Sequence, residues 1–167
     1  MEHKIEVIHV SREIPADFDT FTQIFEGLLG KFDRNVLKEA DFRKMEKLFK
    51  EMAGEEDLML FQVLDHGGYL DIMGFSKKAK QYVLGDHLTA IKMTRRDIRA
   101  GLYAPLRVLI YEDDNHSTRV EFDQPSSLFG QFNDPDVTAT AKDFDTRLSN
   151  FIQKAESLAN SQIDNRD

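Results

Sequence analysis

The feature that most constrains the fold is a long apolar repeat that follows Asp134 and Pro135. Aspartate is a favoured N-cap, and proline is a favoured first residue of a helix. Beyond them, apolar side chains recur every three or four residues as far as Leu158, which is the spacing of one helical face. This pattern predicts one continuous helix over residues 136–158. It should pack on a sheet through a buried side made of Val137, Phe144, Leu148, Phe151 and Ile152.

Short strand patterns occupy much of the chain before this helix. Segments 106–110 and 118–122 each carry apolar or β-branched residues at every second position, and Asp113–His116 provide turn residues between them. This arrangement predicts a β-hairpin. Further strands are predicted over residues 5–10, 58–64 and 81–84.

The order of the elements indicates the fold class. Other helices are predicted over residues 15–31, opened by Pro15, and over residues 36–53 and 89–99. Helices thus lie at both ends of a run of short strands, and the clear strand connection is a tight hairpin. We therefore expect an α+β fold with two layers, in which a mostly antiparallel sheet carries helices on one face. A single domain should cover residues 1–160, followed by a polar tail over residues 161–167.

Composition excludes several classes of protein. The chain has 167 residues, of which 41% are hydrophobic and 31% charged, as in ordinary soluble domains. It has no cysteine, so disulfides, thiol catalysis and cysteine-ligated metals are excluded. The net charge of −8 disfavours binding to nucleic acid, and no apolar run approaches the roughly 20 residues that span a bilayer. We expect a cytoplasmic protein without nucleic-acid or membrane partners.

Four stretches of the sequence resemble domain-of-unknown-function family 302. They match its strand-end Asp-His, its strand–Gly–x–Pro segment, its central strand ending in Glu-Asp, and its closing Tyr/Phe-Asp-x-Pro; the stretches are Leu64–Gly67, Tyr82–Met93, Arg99–Asp113 and Glu121–Pro125. With the ends included, the resemblance covers most of residues 4–158. It implies a β-α-β(4)-α domain similar in architecture to TATA-binding-protein-like folds, and it implies no known activity. The chain departs from the family at Asp86-His87, where Asn-Pro is common, and in an added helix over residues 36–53.

Two Asp-His pairs are the candidate catalytic residues. Asp65-His66 and Asp86-His87 each follow a predicted strand. Their carboxylates and imidazoles could form an acid–base pair, or they could bind zinc or manganese. If the two strands are antiparallel neighbours, however, the pairs lie at opposite edges of the sheet. The alternative interpretation is that all four are turn residues with local hydrogen bonds.

A basic segment is the candidate anion site. Seven basic and two acidic residues lie between Lys77 and Arg99, although the chain as a whole is acidic. In the predicted helix, Lys92, Arg95 and Arg99 share one face, and arginine side chains suit bidentate contacts with carboxylate or phosphate. These three residues are therefore predicted to bind a small anionic ligand. The alternative is a solvated helix face that pairs with the chain's own carboxylates.

Three functions follow from these features. The first is a small non-enzymatic binding or interaction domain that forms a homodimer, because a sheet covered on one face needs cover for the other. The second is an enzyme that acts on a small anionic metabolite, with His66 or His87 as acid/base and Arg95 or Arg99 as anchor. The third, weaker interpretation is a metal-binding protein. No cofactor and no bound metal are expected, since the P-loop, GxSxG, HExxH and dinucleotide motifs are absent from the sequence.

Overall fold

The computed structural model describes residues 2–38 and 41–164, apart from the side chains of residues 36, 37, 42, 43, 163 and 164. The strands of this part of the chain are β1 (His9–Ile14), β2 (Gly30–Lys31), β3 (Met59–Asp65), β4 (Ala79–Gly85), β5 (Leu106–Glu112) and β6 (Thr118–Asp123). They form one sheet in the order β1-β6-β5-β4-β3-β2. All neighbours are antiparallel except β2 and β3, which are parallel. The predicted hairpin is thus confirmed as β5–β6.

The helices are α1 (Phe18–Leu28), α2 (Arg34–Leu37), α3 (Phe42–Met52), α4 (His66–Ile72), α5 (His87–Thr94), α6 (Pro125–Phe129) and α7 (Pro135–Asp164). The helix predicted over residues 136–158 is confirmed as part of α7, and its five predicted core side chains are buried. None of the described helices combines the length and the apolar composition needed to cross a membrane.

Helices α1 and α7 pack on one face of the sheet. The ring of Phe25 in α1 lies 4.9 Å from that of Tyr82 in β4 and 5.0 Å from that of Phe151 in α7. Tyr82 is paired with Val108 of β5, and both are fully buried in the same core. The next residue of β5, Leu109, points to the opposite face and is partly exposed. The predicted two-layer α+β fold is therefore confirmed.

The N-terminal strand and helix begin later than predicted, and the helix also ends earlier. Strand β1 starts at His9, and α1 starts after Asp17, whose carboxylate accepts a hydrogen bond from the Thr20 amide at 2.9 Å. Gly30 and Lys31, predicted to end this helix, form β2 instead. The reason is a distant contact, because the amides of Gly30 and Gly54 both donate to the Leu58 carbonyl, at 2.9 and 3.0 Å.

The helix predicted over residues 36–53 is interrupted. Helix α2 ends at Leu37 and α3 begins at Phe42, with the Asp41 carboxylate accepting from the Lys44 amide at 3.0 Å. Residues 39–40 of the prediction lie outside the described residues.

The helix predicted over residues 89–99 is also interrupted. Helix α5 ends at Thr94, and a separate 3-10 helix covers Ile98–Leu102. The carboxylate of Asp97 caps this second helix by accepting from the Arg99 amide at 2.9 Å. The chain therefore changes direction between Arg95 and Arg99.

Strand β3 contains a bulge that places an aromatic side chain beside the sheet. Leu60 is paired with Leu84 and Gln62 with Val83, so Phe61 is the extra residue. A bulge bends its strand and redirects the extra side chain. The ring of Phe61 consequently meets residues that follow β2 and β4, which is where the candidate site lies.

Candidate functional site

A cavity of about 940 Å³ lies where β4 passes into α5. Its volume is within the range of about 300–1,000 Å³ that is common for small-molecule sites. Aromatic and small residues make up most of its lining, with a few polar side chains among them; they include Phe32, Arg34, Lys38, Phe61, Gln62, Val83, Gly85, His87, Ala90, Gly101, Ala104, Pro105 and Phe144. We refer to it as the His87 cavity.

The His87 imidazole is surrounded by three phenylalanine rings. It lies against the Phe61 ring at a centroid distance of 4.9 Å with an interplanar angle of 23°. The rings of Phe32 and Phe49 meet it edge-on, at 4.4 and 4.6 Å. These contacts fix the plane of the imidazole and shield part of it from water.

The surroundings of His87 favour its neutral form. Burial lowers the pKa of its imidazole below the usual 6.5, and the nearby charge of Asp86 opposes this effect. Neither ring nitrogen has a hydrogen-bond partner among the described residues. A neutral imidazole carries one donor and one acceptor, so a bound molecule could use either.

Asp86 has a structural environment that differs from that of His87. Its carboxylate accepts hydrogen bonds from the Leu88 amide at 2.9 Å and from the Thr89 hydroxyl. The guanidinium of Arg147 donates to the same carboxylate at 3.2 Å. Asp86 therefore caps α5 and forms a buried ion pair, and none of these contacts orients the His87 ring.

Two cations lie at the mouth of the His87 cavity. Arg34 belongs to α2, and Lys38 is the residue that follows this helix. Both side chains line the cavity and are exposed. Lys38 donates to the side chain of Asn35 at 3.2 Å. Neither cation forms an ion pair with a carboxylate of the described residues, and within that part of the chain both are available to an anionic group.

Asp65 and His66 lie away from this cavity. Strands β3 and β4 are antiparallel neighbours, with Asp65 opposite Lys80 and Met59 opposite Gly85. The two Asp-His pairs are therefore at opposite edges of the sheet, and they do not share a site. Asp65 caps α4 by accepting from the Gly68 amide at 2.9 Å, and His66 is exposed.

Because the two Asp-His pairs are separated, they cannot together form the metal site considered as an alternative. Across residues 2–38 and 41–164, no group of three or more His, Cys, Asp or Glu side chains is arranged to hold a metal ion. Asp65 with His66, or Asp86 with His87, would each supply a ligand set of two at most.

The predicted anion site is divided by the break after α5. Lys92 and Arg95 line one groove together with Arg96, and Arg99 is not part of it. Arg99 instead forms a bidentate ion pair with Asp97, at 2.6 and 3.0 Å, and lies over the Phe132 ring. The single helical face predicted for these residues is therefore interrupted, because α5 ends before Asp97 and Asp97 pairs with Arg99. Whether Lys92, Arg95 and Arg99 bind an anion stays a prediction.

Sequence reasoning identified His87 but missed the residues around it. Phe32, Phe61, Arg34 and Lys38 come from segments far apart in the chain, and the phenylalanines looked like ordinary core residues. The bulge that redirects Phe61 lies inside the mostly apolar run 58–64, which gives no sign of it. The available signal was the cluster of small residues and proline around Gly101 and Pro105, which cannot fill space next to His87.

Comparisons with known proteins agree with this fold. The crystal structure of an uncharacterised conserved DUF302 protein from Bacillus stearothermophilus superimposes with a TM-score of 0.63. The two proteins are 14% identical, and the match covers 88% of this chain and 97% of the other. No curated protein matches the sequence significantly. The profile of the family described as domain of unknown function DUF302 matches residues 34–155, and the chain therefore belongs to that family.

Proposed function

We propose that this protein is a non-enzymatic small-molecule-binding domain whose ligand occupies the His87 cavity. The observation that carries the proposal is the combination of a cavity of about 940 Å³ with an imidazole that has no hydrogen-bond partner among the described residues. Binding sites are typically concave and mostly apolar, with a few polar groups that fix the ligand's orientation. Such polar groups are present here in the side chains of His87, Gln62, Arg34 and Lys38.

The enzymatic alternative uses the same cavity. A neutral His87 could act as a general base on a small anionic metabolite, with Arg34 in the anchoring role that the sequence assigned to Arg95 or Arg99. Against this alternative, the Asp86 carboxylate contacts Leu88, Thr89 and Arg147. No carboxylate of the described residues therefore orients the imidazole.

A cavity-filling variant tests the binding proposal. A Cβ added at Gly101 would meet only the Thr94 methyl, at 3.8 Å, so Gly101→Leu should fold and reduce the cavity. We would screen a metabolite library for compounds that raise the Tm of the wild type. Such compounds should lose their effect on Gly101→Leu and keep it on Gly27→Leu, which changes an open position in α1. Full stabilisation of Gly101→Leu would place the ligand elsewhere.

The same compounds separate binding from catalysis. Each stabilising compound is incubated with the wild type and with His87→Gln, and the mixture is analysed by mass spectrometry. A binding domain returns the compound unchanged in both cases. Conversion by the wild type, lost in His87→Gln, would instead support the enzymatic alternative.

We also propose that the protein is a homodimer that associates through the surface around α4. This surface, the α4 patch, consists of apolar side chains that are 39–82% exposed, namely Tyr69, Leu70, Ile72, Met73 and Phe75. Together they present on the order of 500 Å² of apolar surface, comparable to the largest patches found on monomers. Two copies of this patch would bury about 1,000 Å², the lower limit for a stable interface.

Sedimentation analysis tests the dimer. The wild type should sediment at twice the chain mass of 19.3 kDa at micromolar concentration. The double variant Ile72→Asp/Phe75→Asp should be monomeric, since two charges would be buried against apolar groups. The control Ile98→Asp changes a side chain that is 79% exposed outside the patch, and it should remain dimeric. A monomeric wild type would overturn the proposal.

A further inference from the structure

We infer that the ligand of the His87 cavity is a flat aromatic or conjugated molecule that carries an acidic group. This inference rests on the proposed binding function and specifies its ligand class. Three independent features of the cavity support it. They are the aromatic rings, the two cations without an acidic partner in the described part of the chain, and the imidazole nitrogens without a hydrogen-bond partner there.

The rings define the shape of the ligand. Phe32 and Phe61 are perpendicular to each other at a centroid distance of 5.5 Å, and His87 lies against Phe61. Aromatic rings attract other rings both face-to-face with an offset and edge-on, so this corner offers both contacts to one flat molecule. Gly85 and Gly101, which have no side chain, leave room beside the corner.

The cations define the charge of the ligand. Among the described lining residues the only carboxylate is Asp86, and Arg147 already neutralises it. Arg34 and Lys38 have no acidic partner in the described part of the chain. A ligand with a carboxylate, sulfonate or phosphate would meet these two positive charges, and a neutral ligand would leave them unused.

The imidazole adds a polar contact next to the rings. Because His87 has no hydrogen-bond partner among the described residues, a polar atom of the ligand can pair with it. A hydroxyl, an amine or a ring nitrogen attached to the flat part of the molecule would serve. An acidic group at one end and a polar atom on the ring therefore match the cavity at two points.

A pair of fluorescent probes tests the charge requirement. 1-Anilinonaphthalene-8-sulfonate carries a flat naphthalene ring system and an anionic sulfonate, and N-phenyl-1-naphthylamine has the same rings without the sulfonate. We expect both to bind the wild type, and the sulfonate should have a Kd lower by about tenfold because of two exposed ionic contacts. In Arg34→Gln/Lys38→Gln, the sulfonate should lose this advantage, while the neutral probe should bind as before.

A matched variant controls for total charge. Lys92→Gln/Arg95→Gln removes two cations that line a different groove, and it should leave the affinity for both probes unchanged. If this control abolishes the preference for the sulfonate, the anion lies at Lys92 and Arg95 and the inference is wrong. Circular dichroism of each variant confirms that it is folded.

The outcomes separate the ligand class from the proposed function. Equal affinity of the wild type for both probes would overturn the acidic group and leave cavity binding intact. If neither probe binds the wild type, both the ligand class and the proposed function are overturned. Binding that persists in Gly101→Leu would also overturn both, because the probes would then occupy a surface outside the cavity, such as the α4 patch.

Discussion

Arg147 and Asp86 form an ion pair in which Nη1 lies 3.2 Å from Oδ2, with side-chain exposures of 14% and 9%. Arg147 belongs to the middle of α7, and Asp86 is the N-cap of α5. The Thr89 hydroxyl joins the pair, since it donates to Asp86 and accepts from Arg147 at 2.5 Å. Because Asp86 directly precedes His87, this network holds the start of α5 and the backbone of His87 in place, whereas the phenylalanine rings orient the imidazole.

Removing the cation of this pair should cost much of the protein's stability. We expect Arg147→Met to lower the free energy of unfolding by about 3–5 kcal/mol, since it leaves a buried carboxylate without its counter-ion. Urea denaturation measures the change. Adding Asp86→Asn to this variant should recover part of the loss, because the unpaired charge is then removed.

The exposed ion pair between Arg96 and Asp134 provides the comparison. Arg96 is 48% exposed, so Arg96→Met should cost no more than about 1 kcal/mol. Similar losses in Arg147→Met and Arg96→Met would contradict the assignment of the Asp86 network as a buried structural element.

Truncation of Leu148 tests the packing of α7 on the sheet. This side chain is fully buried, and Leu148→Ala should lower the free energy of unfolding by about 2–5 kcal/mol through the lost contacts and the cavity left behind. Gln153→Ala, at an exposed position of the same helix, should change stability by less than about 0.5 kcal/mol. Equal denaturation midpoints for the two variants would argue against this packing.

Two histidines should titrate on opposite sides of the usual pKa of 6.5. Hydrogen bonds from the His9 imidazole to the carboxylates of Asp123 and Glu121 raise the pKa of His9, the one to Asp123 most, whereas burial lowers the pKa of His87. NMR titration of the imidazole protons, assigned with His9→Gln and His87→Gln, measures both. A His87 signal that titrates at or above the His9 signal would contradict the aromatic enclosure of His87.

The two pKa shifts make stability depend on pH in opposite directions. The stabilisation from protonated His9 is fully present below pH 6.5, and it is lost as the pH rises through the raised pKa of the folded state. Since His9 is exposed and screened by solvent, this effect should stay below about 1 kcal/mol. The stabilisation from neutral His87 is present above pH 6.5, and it is lost as the pH falls from there through the lowered pKa of the folded state.

Local sequence signals predicted the hairpin β5–β6 and helix α7, because each rests on a periodicity and a cap within one segment. The same signals failed where a distant contact decides the conformation. Gly30 looks like a helix end, yet its amide pairs with Leu58 and extends the sheet. Near Asp97, the local sequence is compatible both with a continued α5 and with the start of a new helix. In the structure, Asp97 caps a new helix.

The candidate site was predictable only in part. His87 was identified because it follows a strand, and the opposite placement of His66 followed from the antiparallel pairing of β3 and β4. The aromatic corner could not be predicted, since Phe32, Phe61 and His87 meet only through the bulge in β3 and the parallel pairing of β2. Neither feature has a spacing that marks it in the sequence.

Gly54 connects the packing of α3 to the chemistry of His87. A Cβ at Gly54 would lie 2.3 Å from both the Gly30 nitrogen and the Leu28 oxygen, so the two backbone segments would have to separate. Such overpacking should lower the free energy of unfolding of Gly54→Ala by about 1–3 kcal/mol. Gly27→Ala meets nothing within 4 Å and lies on an exposed helix position, so it should be neutral or stabilising.

Gly54→Ala should also change the surroundings of the His87 imidazole. Phe32 follows β2 and Phe49 belongs to α3, so separating these segments moves both rings away from His87. With less burial, the pKa of His87 should rise toward 6.5 in Gly54→Ala and stay unchanged in Gly27→Ala, as measured by NMR titration. If Gly54→Ala loses stability while the His87 titration stays at its wild-type position, the aromatic enclosure does not depend on this backbone contact. If Gly54→Ala keeps both the stability and the His87 titration of the wild type, the segments pack less closely than the structure shows.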